Sequence, residues 1–481
     1  MGFLIRSKNV FTGLADHPQP ASIWVEDSQI KAVLPWDYDK DAYADLECRD
    51  YGEQLIMPSF IDAHTHMFSG AIDASDYVCD TLGECTSQEE CAQMIAAYAT
   101  EHPNQRRIRG AGWFVGAWND APMPDCRSLD ALIPDRPVYL LCADSHSMWL
   151  NTKAMEEVGF ASDFDVENCE VCRFPDGSLS GLFIEPAAYE PAMQKYMEFS
   201  ATEMADIHRG FQKELASYGI AGVSEMFADD YTDDTRTRYR QLTALEKTNE
   251  LCAHTFIYTK LFDYTDFTLY FDLKKEIDTQ HVHINGVKGF IDGVTETYTG
   301  LLLEPYTDRP DTCGEGLPLH PVERMQEEIT AANKAGIQVR LHCIADGSVR
   351  MALDLYEQAQ RESGWDTSRH KNTIEHIENI HPDDIGRFAE LGVIPSMQPY
   401  HVTLSNGDKV WRLGEERCRL EFPIRTIYDH GGQIALGTDY PVVTINPFHT
   451  IYAALTRCDD HGHPTGCNAA TEKLPLSVIL R

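Results

Sequence analysis

The sequence has no apolar run approaching the roughly 18–20 residues that a membrane span requires. Its start, MGFLIRSKNVFTG, lacks the apolar stretch and small-residue cleavage site of a secretory signal. It also fails the myristoylation pattern, because Arg6 stands where Ser or Thr is required. The expected address is the cytoplasm, where the 14 Cys read as reduced thiols and not as a disulfide framework. Cys169 and Cys172 form a C-E-V-C pair, yet no second CxxC accompanies them to complete a zinc site. Positive charge is scarce: 40 Lys+Arg against 76 Asp+Glu leaves −36 with His neutral. Phosphate binding needs clustered Lys and Arg, so nucleic acid and anionic membranes are excluded as expected partners. Repeats and low-complexity tracts are absent too.

What is present is the balance of a soluble globular protein, 43% hydrophobic and 24% charged over 481 residues. That length suits several domains or one large barrel with additions. Residues 1–57 read as short strands at Phe3–Ile5, Ser22–Val25, Ile30–Val33 and Gln54–Ile56, a small β unit unable to bury a good core alone. From Pro58 onward, short apolar strands alternate with amphipathic helices, the pattern of a parallel βα repeat. The strands are Ser59–His64, Val138–Cys142, Ala221–Glu225, Gly286–Ile291, Gln338–His342, Thr373–His376, Val393–Ser396 and Gln433–Gly437. Helices are expected at Pro321–Lys334, Ser348–Ser363 and Pro382–Leu391, with Ala335-Gly336 and Leu391-Gly392 as C-terminal stops. Residues 70–215 carry more than one βα unit needs and read as a large insertion near the barrel mouth.

Asp62-Ala-His64-Thr-His66 is the strongest local signal. Residues two apart on a strand share a face, so His64 and His66 project together at a spacing able to grip one metal ion. His342, His376 and Asp439 each stand at the end of a predicted strand. In a βα barrel those ends converge on one mouth, where active sites form. Four imidazoles and a carboxylate make a good N/O set for zinc or a similar divalent ion. Lys288 lies inside an apolar strand, where an ammonium is costly. It is either salt-bridged or lowered in pKa to a neutral, nucleophilic amine.

PSFIDAHTH, VKGFIDG followed by LLLEPY, LHCIADGSV, RHKNTIEHIENIHPDDIGRFAELGVIPSMQP and ALGTDYPV occur in that order. Together they resemble the metal-dependent amidohydrolase superfamily, specifically its YtcJ-like amidohydrolase family 3 branch, which includes N-substituted formamide deformylases. PDRPVYLLCADSHSMWLNTKAM and DGSLSGLFIEPA extend the likeness through the insertion. The resemblance implies an α/β fold: a TIM-like (β/α)8 barrel over 58–481, with a small N-terminal β-sandwich part at 1–57. It also implies two zinc ions, one held by His64, His66 and Asp439, the other by His342 and His376. Carboxylated Lys288 and a hydroxide would bridge them.

The implied reaction is hydrolysis of a C–N bond, in an amide, formamide or N-acyl group, by the metal-bridged hydroxide. Asp439 would be the general base and acid, with His376 and His146 as further catalytic residues. His146 would help to hold the oxyanion, or would merely cap local backbone. Trp113, Trp118 and Trp149, with His146, are the expected substrate pocket. Glu185 and Asp292 are expected either to orient ligands or to stabilise the fold. The expected partners are a small amide-type molecule and, among macromolecules, at most a second copy of the chain as a homodimer. The competing readings are a mononuclear deaminase or N-acyl-amino-acid deacylase with unmodified Lys288, and a regulatory protein without turnover. The resemblance further implies a helix and returning strands beyond Pro475-Leu-Ser-Val-Ile-Leu-Arg481, which would complete the N-terminal unit.

Overall fold

The N-terminal residues form one five-stranded sheet. In the computed structural model, which describes residues 2–115, 118, 123–143, 146–166, 169–311, 316–404, 409–468 and 470–481, β1 (Phe3–Val10) pairs antiparallel with β2 (Gln19–Glu26). β2 in turn pairs antiparallel with β3 (Gln29–Pro35). β4 (Glu47–Asp50) and β5 (Leu55–Ile56) run parallel to β1. β4 is absent from the sequence expectation for a physical reason: its residues, ECRD, are all exposed and carry no apolar alternation.

β6 (Phe60–Thr65) opens a second sheet, and the chain then leaves it for more than 140 residues before returning. The excursion carries β7 (Ile108–Trp113), β8 (Val138–Cys142), β9 (Ser147–Leu150), β10 (Glu170–Arg173) and β11 (Leu179–Ile184). The second sheet resumes with β12 (Ile220–Glu225), β13 (His254–Lys260), β14 (Val282–Phe290) and β15 (Gln338–Cys343). β16 (Thr373–His376), β17 (Ile394–Met397) and β18 (Ala435–Leu436) complete it. Its order is β18-β17-β16-β15-β14-β13-β12-β6, every neighbour parallel. A parallel bridge between Thr65 and Tyr440 joins its two edges. The result is a closed eight-stranded TIM-like barrel.

Two expectations fail here. Val138–Cys142 is a strand, but it lies in the separate five-stranded sheet β10-β11-β9-β8-β7. Its parallel pairing with β7 gives it the same local texture as a barrel strand. The barrel strand it displaced is β13, whose apolar stretch Phe256-Ile257-Tyr258 is short and flanked by Thr255 and Thr259. The expected helix Pro382–Leu391 is also two pieces, a 3-10 turn Pro382–Asp384 and a short helix Arg387–Leu391. The His381 ring caps the turn by accepting from Asp383 N at 3.2 Å. The stops at Gly336 and Gly392 hold, both with left-handed φ, +77° and +62°.

By compactness the chain divides into two units. Met1–His66, Leu215–Thr237 and Cys252–Arg481 form the first, which holds the barrel. Met67–Glu214 with Arg238–Leu251 form the second. The core of the second unit includes Ile95, Leu129, Val138, Leu140 and Leu182 around Trp113, Trp118 and Trp149. The described cysteines are free thiols, Cys169 and Cys172 among them. Among the described residues no helix is long and apolar enough to cross a membrane.

Candidate metal centre

Parallel strands deliver their last side chains to one end of the barrel, and the ionisable groups gather there. His64 sits near the end of β6, His376 ends β16, and Asp439 follows β18. The His64 and His66 rings lie 5.6 Å apart between centroids, as the two-residue spacing requires. Their Nε2 atoms stand 3.4 and 3.1 Å from the same Asp439 oxygen, Oδ1. On the other carboxylate oxygen, Oδ2, His376 Nδ1 stands at 3.8 Å and His401 Nε2 at 3.9 Å. The His342 ring lies 4.4 Å from that of His376. His376 and Asp439 both adopt positive φ, +75° and +61°, an uncommon backbone state for non-glycine residues that is held where function demands it.

Two imidazoles have their tautomers set by fixed acceptors. His64 Nδ1 is 2.6 Å from Glu375 Oε2, and Glu375 Oε1 in turn accepts from Arg340 Nη1 at 3.2 Å. A proton on Nδ1 leaves the His64 Nε2 lone pair facing Asp439. His342 Nε2 donates to Gly293 O at 3.2 Å, which leaves its Nδ1 as an acceptor. An imidazole lone pair pointed at a carboxylate across 3.4 Å repels it unless a cation lies between them. His376 Nδ1 and Lys288 Nζ are buried with no hydrogen-bond partner. Carboxylate-oriented imidazoles and orphaned buried nitrogens are what a divalent metal centre of the N/O type needs. The residues fit the ion.

Burial sets the charge states. It pushes His64 down to about 4 and His342 down to about 3, and holds His376 well below the ordinary imidazole value. Against burial, which opposes its ionisation, His64, His66 and His401 hold Asp439 far below the usual carboxylate range. Burial pushes Lys288 down to about 8, with Glu375 and Asp439 opposing. Near neutral pH His64, His342 and His376 are therefore neutral imidazoles, beside an ionised Asp439 and a Lys288 whose ammonium is held less tightly than usual.

A pH dependence follows for the metal-free protein. In the unfolded chain His64 and His342 take up protons near pH 6.5, but in the fold only near 4 and 3. Folded pKa values below the unfolded ones mean that U binds more protons than N, so stability falls as pH falls below about 6.5. Each group contributes a slope of up to about 1.4 kcal/mol per pH unit in that window. Urea melts of stripped protein from pH 7 to 4.5 should show it, and flat midpoints would contradict the neutral-imidazole assignment.

Of the predicted metal ligands, His64, His66, His376 and Asp439 converge directly, with His342 beside His376. The trio whose ligating atoms fall within 4.8 Å of one another is His64, His376 and Asp439. Trp113, Trp118 and Trp149 are a correction. All three are buried in the core of the second unit, and the Trp113 ring lies 5.9 Å from Trp118 and 6.0 Å from Trp149. His146 lies in the second unit with its side chain 62% exposed and Nδ1 3.1 Å from Glu185 Oε2. Asp292 stabilises the fold, its carboxylate accepting from Leu301 N, Ile344 N and Ala345 N at 3.0, 3.0 and 3.2 Å.

Glu375, Arg340 and His401 were not foreseen. Arg340 was legible, because it stands two residues before His342 and alternation puts both on one face. Glu375 is the residue that orients His64. Glu375→Gln should weaken metal affinity about 10–100-fold while leaving the fold intact, read by competition with a chelating dye.

The Amidohydrolase family profile matches residues 49–481. "Protein LONG AFTER FAR-RED 3" of Arabidopsis thaliana is 27% identical over 466 residues, covering 94% of this chain and 78% of its own. The N-substituted formamide deformylase of Arthrobacter pascens is 23% identical over 432 residues, covering 88% of this chain and 77% of its own. Among solved structures, an uncharacterized metal-dependent hydrolase from Pyrococcus horikoshii OT3 superposes with a TM-score of 0.78 at 22% identity. That likeness covers 99% of this chain and 90% of the other, and establishes the shared fold.

Proposed function

The chain belongs to the amidohydrolase family, and we propose that it hydrolyses a non-peptide C–N bond in a small amide, formamide or N-acyl compound with a divalent metal centre, most simply zinc. The observation that carries this reading is the buried cluster of His64, His376 and Asp439, with His66 and His342 beside it. The likeness to an enzyme named as a formamide deformylase supports the choice of bond.

His64, His66 and Asp439 would hold one ion, His342 and His376 a second, and Lys288 would serve both after carboxylation. In that modification the neutral Nζ adds to the carbon of carbon dioxide and loses one proton, turning the amine into a two-oxygen ligand. Divalent ions so bound lower the pKa of water and polarise a carbonyl. Asp439, ionised and within 3.4 Å of two imidazoles, accepts a proton from the attacking water. It returns that proton to the leaving nitrogen as the C–N bond breaks, so one water yields one acid and one amine. Glu375 keeps His64 in the tautomer that faces Asp439 throughout.

A second reading has an observation in its favour. The compact trio His64, His376 and Asp439 suits a single ion, with Lys288 left as a free amine. Metal counting separates the readings: about two equivalents per chain for the first, one for the second. The test of either is a hydrolysis screen of amides, formamides and N-acyl-amino acids with metal-loaded protein, run beside His342→Ala. The variant should lose most of the activity on any hit, and full activity would place the chemistry elsewhere.

A further inference from the structure

With Trp113, Trp118 and Trp149 committed to a core, the wall of the substrate site has to come from elsewhere. The barrel mouth offers one beside His66, whose side chain is 27% exposed while that of Asp439 is 8% exposed. β6 lies between β12 and β18 in the closed barrel. On the β12 side, Thr65 O accepts from Met226 N at 2.8 Å, so the next residue, Phe227, flanks His66. Phe227 N is itself fixed by donating to Glu225 Oε1 at 2.9 Å. On the β18 side, Tyr440 O accepts from His66 N at 2.7 Å, and Asp439 O accepts from Val442 N at 2.8 Å. That turn brings Val442 beside Asp439. Phe227 is 46% exposed and Val442 53%. One exposed apolar residue is ordinary, but these two border the open side of a single polar centre. The charged groups that follow Phe227 are already matched within the protein. Lys260 Nζ is 2.6 Å from Asp263 Oδ2 and 3.6 Å from Asp230 Oδ2, and Tyr264 Oη donates to the other Asp230 oxygen.

We propose that Phe227 and Val442 are specificity-determining residues, and that the compound cleaved carries an apolar alkyl or aryl group on its leaving nitrogen. The inference rests on the C–N hydrolase reading above, in which Asp439 delivers the proton to that nitrogen. The nitrogen then lies against Asp439, and its substituent meets Val442 and Phe227 on the way to solvent. An apolar substituent gains from burial on two apolar side chains. A carboxylate or ammonium in the same place would lose water and find no partner. Few polar groups at the reacting centre with apolar walls around them is the usual make-up of a small-molecule site.

The test uses full-length, zinc-loaded protein with N-benzylformamide and N-carboxymethylformamide as a matched pair. Wild type should favour the benzyl compound by at least about 10-fold in kcat/KM, a preference within the range that a fitted apolar group supplies. Val442→Asp and Phe227→Ser, both at exposed positions, should each reduce that ratio about 10-fold, chiefly through KM. Zinc stoichiometry and Tm should match wild type. A merely structural role would slow both substrates equally and leave the ratio unmoved. An unchanged ratio in both variants, or a wild-type preference for the carboxymethyl compound, would overturn the proposal. The N-hydroxy forms of the two formamides, which chelate zinc without being cleaved, read the same rim independently of turnover. Wild type should bind the N-benzyl form at least about 10-fold more tightly, and Val442→Asp should erase the difference. Equal affinity in wild type would equally overturn the proposal. If neither formamide is hydrolysed while the binding preference holds, the hydrolase reading falls and the apolar rim stands.

Discussion

Asp439→Asn should lower turnover on any substrate by about 10²–10⁴-fold, the range that a positioned acid–base group supplies. The substitution keeps the shape and removes the charge. Asp439 is surrounded by His64 and His66 on one oxygen and by His376 and His401 on the other, so its negative charge is the element that makes the group attractive to a cation. With Asn in place the imidazoles still converge, but the proton acceptor is gone and one ligand is neutral. Metal affinity should fall as well, so the rate is compared at saturating metal, where only the acid–base loss remains. Circular dichroism should match wild type. An Asn variant that keeps more than about a tenth of the activity would mean that another residue moves the proton.

Gly437→Ala should have a large effect for the addition of a single methyl, because it falls beside the metal-binding group. A Cβ at Gly437 would lie 2.6 Å from His64 N and 2.8 Å from His64 Cβ, with Asp62 Oδ1 at 3.0 Å. Backbone cannot yield as a flexible side chain can. The clash falls on the seam that closes the barrel, where Asp62 Oδ1 accepts from His64 N at 3.1 Å and Thr438 N at 3.0 Å. Asp62 Oδ2 completes the staple by accepting from Thr438 Oγ1 at 2.7 Å. Overpacking of this kind costs about 1–3 kcal/mol, and Tm should fall by several degrees. The functional loss should exceed the thermal one, because His64 is displaced and misplacement by about 1 Å costs on the order of 10²-fold. A variant with wild-type Tm and wild-type metal affinity would show that the seam tolerates expansion.

The candidate metal centre was largely legible in the sequence because each proposed ligand stands at or just past the end of a barrel strand, and a parallel barrel brings strand ends together whatever lies between them. His64 and His66 needed only the two-residue period. Glu375 was hidden beside His376, since nothing local reveals that its carboxylate reaches His64 from 311 positions away. His401 lies on a 3-10 turn, Pro399–Thr403, where no strand period points to it. The tryptophans misled for the opposite reason. An aromatic in an insertion looks like pocket wall from sequence, but a separate unit needs a core of its own, and Trp113, Trp118 and Trp149 supply it. The barrel strand β13 and the inserted strand β8 were confused because a parallel pair has one local texture in either sheet.

The central claim is that hydrolysis by this chain depends on a divalent ion held by the His64–His376–Asp439 group. The direct measurement is the hydrolysis rate on a screened amide or formamide as zinc is added back to chelator-stripped protein. The rate should rise from background, saturate at one or two equivalents per chain, and stay at background in Asp439→Asn. Undiminished hydrolysis by protein shown to be metal-free would contradict the account.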